Sequence, residues 1–302
     1  MASTSLICRN STRRIIIEGT PVKNLFTINM DDDNDSGAYE KFLLRRADAE
    51  LIKKQDESIG LMKEHEQKAS LPKWLILIRG LCMMFFFIVL IAYIKSWNEN
   101  GLKTFTAVPW LTVSGAICGF IALVLWLIEK QKASHVMESQ DFHQNMESIV
   151  NIHKESLDFL QVPENALNVD VFSRPYKIKN GKEKRATDLF EYINFDMLVF
   201  REGEMLCLAD DRSVIGIPLS DITGIYKINK RVNFSGWNKE DDFNTGAYKP
   251  YKITQNNYGI LYIKPYYSLR FTGYGEVYEI LFPAYELDTF VRLTDASVKE
   301  DA

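Results

Sequence analysis

Two long apolar runs, separated by a ten-residue polar link, constrain this chain more than any other feature in it. The first, residues 74–94 (WLILIRGLCMMFFFIVLIAYI), carries one charge, Arg79; the second, residues 105–128 (FTAVPWLTVSGAICGFIALVLWLI), carries none. At about 1.5 Å of helical rise per residue, roughly 20 apolar residues cross a hydrocarbon core of about 30 Å. Each run meets that length. A core helix of a soluble protein would keep a polar stripe along one side, and neither run does. The pair reads as a transmembrane hairpin spanning residues 71–128.

Lysines set the expected orientation. Lys63, Lys68 and Lys73 precede the first run and Lys130 and Lys132 follow the second, against Lys95 and Lys103 in the link. The positive-inside rule then puts both termini in the cytoplasm. Cys8, Cys82, Cys118 and Cys207 have neither zinc-knuckle nor redox spacing, and read as small apolar residues in a reducing compartment. Trp74, Trp97, Trp110 and Trp126 fall near the run ends, where an aromatic belt anchors a span. Arg79 lies one turn inside with no acid in either run, so it is expected to snorkel to the headgroups as a further anchor rather than to face an ion or ligand. Ser114, Gly115 and Gly119 form a small-residue G-x-x-x-G patch that lets helix backbones approach closely. It can serve either the first span or a second subunit.

The flanks are polar. Residues 1–36 read as a leader followed by an acidic loop (MDDDNDS). Residues 37–70 are rich in helix formers, with apolar positions at Leu44, Ala47, Leu51, Ile59 and Met62. Residues 129–162 read as a second helix with a stripe of Phe142, Met146, Ile149, Leu157 and Leu160, ended by Pro163. These helices extend the spans and pack together, or pair between subunits. Residues 163–188 read as a linker, with a basic turn of Lys177, Lys179, Lys182, Lys184 and Arg185 that either meets anionic headgroups or is simply solvated.

From residue 189 to 302 the pattern changes to short alternating runs. Strands are expected at 195–200, 205–209, 214–218, 224–229, 248–254, 259–266, 268–272 and 277–283, with turns at 201–204 and 210–213 and a helix at 285–294. This predicts an α+β chain whose C-terminal part is a small β-barrel or two-sheet sandwich capped by a helix. Trp237, Asn238 and Lys239, in a long polar loop, either contact a partner or tuck over the barrel end.

The segment MLCLADDRSVIGIPLSDITGIYKI, from Met205 to Ile228, together with residues 281–293, resembles the bacterial pleckstrin-homology-like (GRAM-type) domains. There a strand and acidic turn lead into a strand ending I-P-L-x-D-I, and the last strand runs into a C-terminal helix. The whole chain is similar to bacterial two-span membrane proteins bearing such a domain. The resemblance implies an inner-membrane protein whose cytoplasmic module binds a protein, peptide or lipid and is not an enzyme. The polar insertion at 233–251 departs from that pattern.

Chemistry-bearing motifs are missing from the sequence: there is no G-x-x-x-x-G-K-[ST], H-E-x-x-H or G-x-S-x-G. His65, His135, His143 and His153 all fall on the juxtamembrane helices without metal-ligand spacing. A net charge of −4 with no extended basic face argues against nucleic acid. No catalytic, cofactor or metal residue is expected. The function class is therefore a membrane-anchored scaffold or sensor; the alternative is a subunit of an oligomeric channel or transporter, self-associating through the hairpin.

Overall fold

A computed structural model describes residues 16–17, 20–31, 38–101, 108–186, 191–235, 250–251, 253–255 and 260–300. The chain divides into a helical unit, residues 49–155, inserted within a β-rich unit made of residues up to 48 and from 156 onward.

The helical unit contains α1 (Ala49–Ala69), α2 (Lys73–Asn100), α3 (Pro109–Met137) and most of α4 (Gln140–Phe159). Pro72, which lacks an N–H, separates α1 from α2, and Pro109 occupies the first turn of α3, where a missing donor costs nothing. Ser139 separates α3 from α4; its Oγ accepts the Phe142 N–H at 3.3 Å, as an N-cap does.

α2 and α3 form an antiparallel pair. Descending it, the Tyr93 and Thr112 hydroxyls hydrogen-bond, Val89 sits on Gly115, Phe86 sits on Gly119, and Arg79 meets Glu129. A Cβ on Gly115 would lie 2.9 Å from Val89 Cγ1, and one on Gly119 would lie 2.7 Å from Phe86 Cδ2. Both glycines are required by these contacts. Leu77, Ile91, Ile94, Val113 and Phe120 point outward. Only 6% and 11% of the most apolar stretches of the two helices are buried, whereas a soluble core helix would be mostly covered. Both helices are long and apolar enough to cross a membrane.

α1 and α4 also face each other. The covered positions are Leu51, Gln55, Ser58, Met62 and His65 on α1 and Phe142, Asn145, Ile149 and Ile152 on α4, spaced alternately three and four apart. His65 is edge-on to Phe142 at 5.7 Å, Asn145 Nδ2 donates to the Ser58 carbonyl at 3.4 Å, and Lys54 pairs with Glu155 at 3.4 Å. The expected apolar stripe is corrected here: Ile59 and Met146 are exposed. Leu51, Met62, Phe142 and Ile149 of the expected stripe do lie in the seam, but four of its nine positions, Gln55, Ser58, His65 and Asn145, are polar, and following apolar residues alone misses them.

The β unit comprises β1 (Ile16–Ile17), β2 (Thr20–Asn24), β3 (Thr27–Asn29), β4 (Leu43–Arg46), β5 (Leu167–Lys179), β6 (Lys182–Arg185), β7 (Tyr192–Glu202), β8 (Met205–Ala209), β9 (Ser213–Pro218), β10 (Ile222–Ile228), β11 (Val232–Ser235), β12 (Thr254–Gln255), β13 (Ile260–Ile263), β14 (Tyr266–Gly273), β15 (Glu276–Pro283) and β16 (Val298–Glu300), with α5 (Leu287–Thr294). Hydrogen bonding runs β10–β14–β15–β5–β7–β8–β9, antiparallel at every step. Leu206, Ile215, Ile217, Ile225, Leu269, Phe271 and Ile280 from these strands share one core with Phe290 of α5. Phe290 stacks on Phe282 at 4.2 Å between ring centroids. The predicted acidic turn at 210–213 is present: Asp210 Oδ1 accepts the N–H groups of Arg212 (2.9 Å) and Ser213 (2.7 Å).

Three expected boundaries are corrected. Part of the supposed leader is sheet, with β2 parallel to β15 and β3 parallel to β5. Residues 43–46, assigned to a helix by composition, form a strand antiparallel to β9. Most of the 163–188 linker is β5 and β6. The N-terminal segment is tied in by specific contacts. Tyr39 Oη and Ser213 Oγ are 2.7 Å apart, Arg45 makes a two-pronged contact with Glu202, and Lys23 and Lys41 both reach Glu276.

Candidate functional site

The basic turn predicted in a linker is a two-stranded ribbon. Asn180 and Gly181 both have positive φ (55° and 68°), the two-residue Asn-Gly reversal whose twist matches that of the flanking strands. The register pairs Tyr176 with Arg185, Lys177 with Lys184, Ile178 with Glu183 and Lys179 with Lys182. Directly opposed residues share a face and successive residues alternate. Lys177, Lys179, Lys182 and Lys184 therefore lie together on one face. Arg185 does not join them; it falls on the opposite face with Tyr176, Ile178 and Glu183.

Two like-charged pairs directly across a ladder oppose its formation. Among the described residues, no carboxylate lies in ion-pair range of the four ammonium groups; Lys177 Nζ donates to the Ala186 carbonyl at 3.3 Å. Lys179, Lys182 and Lys184 are exposed. On the other face, Glu183 is already paired with Arg174 at 2.9 Å. The ribbon is held instead by its base: Asp31 Oδ2 accepts the Ile178 N–H at 2.8 Å, and Met30 N–H donates to the Tyr176 carbonyl at 2.8 Å. β3 places Ile28 opposite Pro175, on the lysine side, and both Ile28 and Met30 are exposed. The result is a cationic face bordered by apolar side chains, suited to phosphate-bearing surfaces. Ile28 and Met30 escaped the sequence reading because they lie in the stretch assigned to the leader and its acidic loop.

The other predicted site residues separate into groups. Trp74, Trp97, Trp110 and Trp126 are all exposed, and Lys130 lies 5.5 Å from the Trp126 ring. At the helical rise, Trp74 to Trp97 is about 34 Å and Trp110 to Trp126 about 24 Å, which brackets a hydrocarbon core of about 30 Å. Arg79 is corrected from a lone snorkelling charge to a paired one. Glu129, its partner, stands one residue beyond the second run, and the two side chains are 23% and 26% exposed. Gly115 and Gly119 serve contacts within the hairpin, while Ser114 Oγ donates to the Leu111 carbonyl of its own helix at 3.2 Å. Trp237, Asn238 and Lys239 lie outside the described residues.

Among the described residues, no group of three or more His, Cys, Asp or Glu side chains is arranged to hold a metal ion. Comparison with family models, with curated proteins and with solved structures returned no match.

Proposed function

We propose that this chain is a membrane-anchored scaffold or sensor in which a pleckstrin-homology-like β unit engages anionic lipid headgroups through the lysine face of the β5–β6 ribbon. In this reading α2 and α3 cross the bilayer, both termini are cytoplasmic, and the chemistry is recruitment with no bond broken. The antiparallel order β10–β14–β15–β5–β7–β8–β9, with α5 sharing its core, supports the pleckstrin-homology-like assignment.

The observation that carries the reading is the pair of opposed lysine pairs on an exposed ribbon. An anionic partner would relieve that repulsion. A lysine near an anionic membrane surface contributes about 1 kcal/mol, so four contribute about 4 kcal/mol, roughly a thousandfold in partitioning. At ionic strength near 0.1 M the screening length is about 10 Å, so salt weakens the attraction. The channel alternative draws no support from the Gly115/Gly119 patch, since the chain's own Val89 and Phe86 occupy it.

The test holds full-length protein in neutral phosphatidylcholine nanodiscs and measures capture of vesicles with and without phosphatidylglycerol. Anionic vesicles are expected to bind and neutral ones not, with binding lost in a Lys179→Gln/Lys182→Gln/Lys184→Gln variant. Equal capture by the triple variant would refute the assignment.

A further inference from the structure

The C-terminal end of the chain, unaccounted for by the lipid reading, lies on the free side of β10. One edge of β10 is consumed by β14; the other carries β16, only three residues long and parallel to it, pairing Ile225 with Val298, Tyr226 with Lys299 and Lys227 with Glu300. The Ile225 N–H donates to the Ser297 carbonyl at 3.1 Å. All three residues of β16 are exposed, so the strand is held by its ladder and by side-chain contacts rather than by buried apolar surface.

Those contacts spell out a preference. Lys299 Nζ donates to the Thr223 carbonyl at 2.7 Å and lies 5.5 Å from the Tyr226 ring, and Lys227 Nζ meets Glu300 at 2.8 Å. Gly224 leaves room for the Lys299 stem, because a Cβ there would sit 3.1 Å from Lys299 Cε and Nζ. The register shift between β10 and β14 falls between Ile222 and Gly224, at Thr223, whose carbonyl Lys299 reaches, while Ile225 to Lys227 pair with β14 in regular register. The edge thus offers a main-chain ladder, a carbonyl with an aromatic ring for a cation, and an ammonium for the next residue's carboxylate.

We propose that the outer edge of β10 is a docking site for an extended peptide segment running parallel to it, with a basic residue followed by an acidic one, and that residues 297–300 occupy it in cis. An open strand edge templates further strands, and adding one is a recurrent mode of peptide recognition. A three-residue strand with an exposed ion pair is among the weakest ways to cover such an edge, which makes the tail displaceable. The inference rests on the β unit being a binding module, adds a peptide partner to it, and is independent of the lysine ribbon, which a lipid experiment reads separately.

The experiment uses three forms in detergent micelles: the full chain, a form ending after Ala296, and full-length Lys299→Pro, which loses a strand N–H and the ammonium while keeping the chain length. The probe is a fluorescent peptide with the sequence of residues 295–302 (DASVKEDA), read by anisotropy, and hydrogen exchange follows the β10 amides. Both altered forms are expected to lose protection at Ile225 and to bind the peptide at least tenfold more tightly than the full chain. Added peptide should restore protection, and a peptide with Lys and Glu exchanged should not. Unchanged β10 exchange in both altered forms, or peptide binding without restored protection, overturns the proposal. Restoration by added full-length protein but not by peptide assigns the edge to a second copy and overturns it as well.

Discussion

Gly115→Ala tests whether the small-residue patch in α3 works within the chain. The new Cβ would lie 2.9 Å from Val89 Cγ1 and 3.3 Å from Val89 Cβ. Rotating Val89 can move the first atom but leaves the second in place, and β-branched side chains have few rotamers in a helix. The helices must therefore part by a few tenths of an ångström around a residue that is only 5% exposed. Overpacking of this kind costs about 1–3 kcal/mol, and the better helix propensity of alanine returns about 1 kcal/mol, for a net loss of about 0–2 kcal/mol. Because those terms partly cancel, the informative quantity is the coupling with Val89→Ala. The second substitution empties the space the new methyl needs, while the propensity gain is common to both backgrounds. A favourable coupling of about 1–2 kcal/mol is expected from a double-mutant cycle. Reversible unfolding in mixed detergent–dodecyl sulfate micelles, followed by circular dichroism, supplies the four stabilities. A coupling below about 0.5 kcal/mol is what independent sites give, and it would refute the contact.

Three further outcomes follow from named contacts. Replacing Lys179, Lys182 and Lys184 together by Gln removes repulsion across the ribbon, so thermal unfolding should stay level or rise, by about 0.2–1 kcal/mol per opposed pair, while capture of anionic vesicles falls; a loss of stability would show that the lysines are structural. Arg79→Gln and Glu129→Gln should each destabilise the helical unit by about 1.5–3 kcal/mol, the worth of a charged hydrogen bond, and the double variant should cost clearly less than the sum; additive losses in the same unfolding assay would mean the pair is not formed. Lys23 beside Glu276, with further help from Tyr278 and Lys41, holds that carboxyl down at about 2 against a usual 4.5. A depressed carboxylate contributes stability that is present above 4.5 and is lost as pH falls through about 2. Thermal scans of wild type against Glu276→Gln should converge across that window, and a constant gap would remove Glu276 as the cause.

Local signals and non-local ones were not equally legible in the sequence. The two apolar runs, β8, β9, β14, β15 and α5 each carry their own periodicity, and Asp210 and Gly203 mark their turns within a few residues. β2 and β3 carry no comparable signal. They are short, mixed in polarity, and paired in parallel with strands roughly 150 to 250 positions away in sequence, for instance Val22 with Val277. The stretch Leu43–Arg46 has helix-forming composition, and its pairing with β9 overrides that preference. The ribbon is a different case: Asn180-Gly181 is a strong hairpin signal, obscured by a lysine-rich composition that resembles a solvated linker. Arg79 shows the cost of searching only inside apolar runs, since its partner is the first residue past the second one.

Placing the two long apolar helices between the early and late strands of the β unit has a consequence for biosynthesis. Strands β1 to β4 leave the ribosome first, yet β2 completes its pairing only with β15, and Lys23 and its partner Glu276 are 253 positions apart. At about 5–20 residues per second, that delay is roughly 13–50 s. Both apolar helices are made during the interval, so any insertion of them into a membrane would precede closure of the β unit. Until then the early strands have unpaired edges, a condition in which chains associate wrongly. A fragment beginning at β5 lacks β1 to β4 and leaves Leu25, Phe26 and Phe42 out of the core they help fill. A version of the β unit without the helical unit must instead connect residue 48 to residue 156 through a linker, which shortens the separation of Lys23 and Glu276 by the 107 residues 49–155 and keeps β2, β3 and β4 with the strands they pair with.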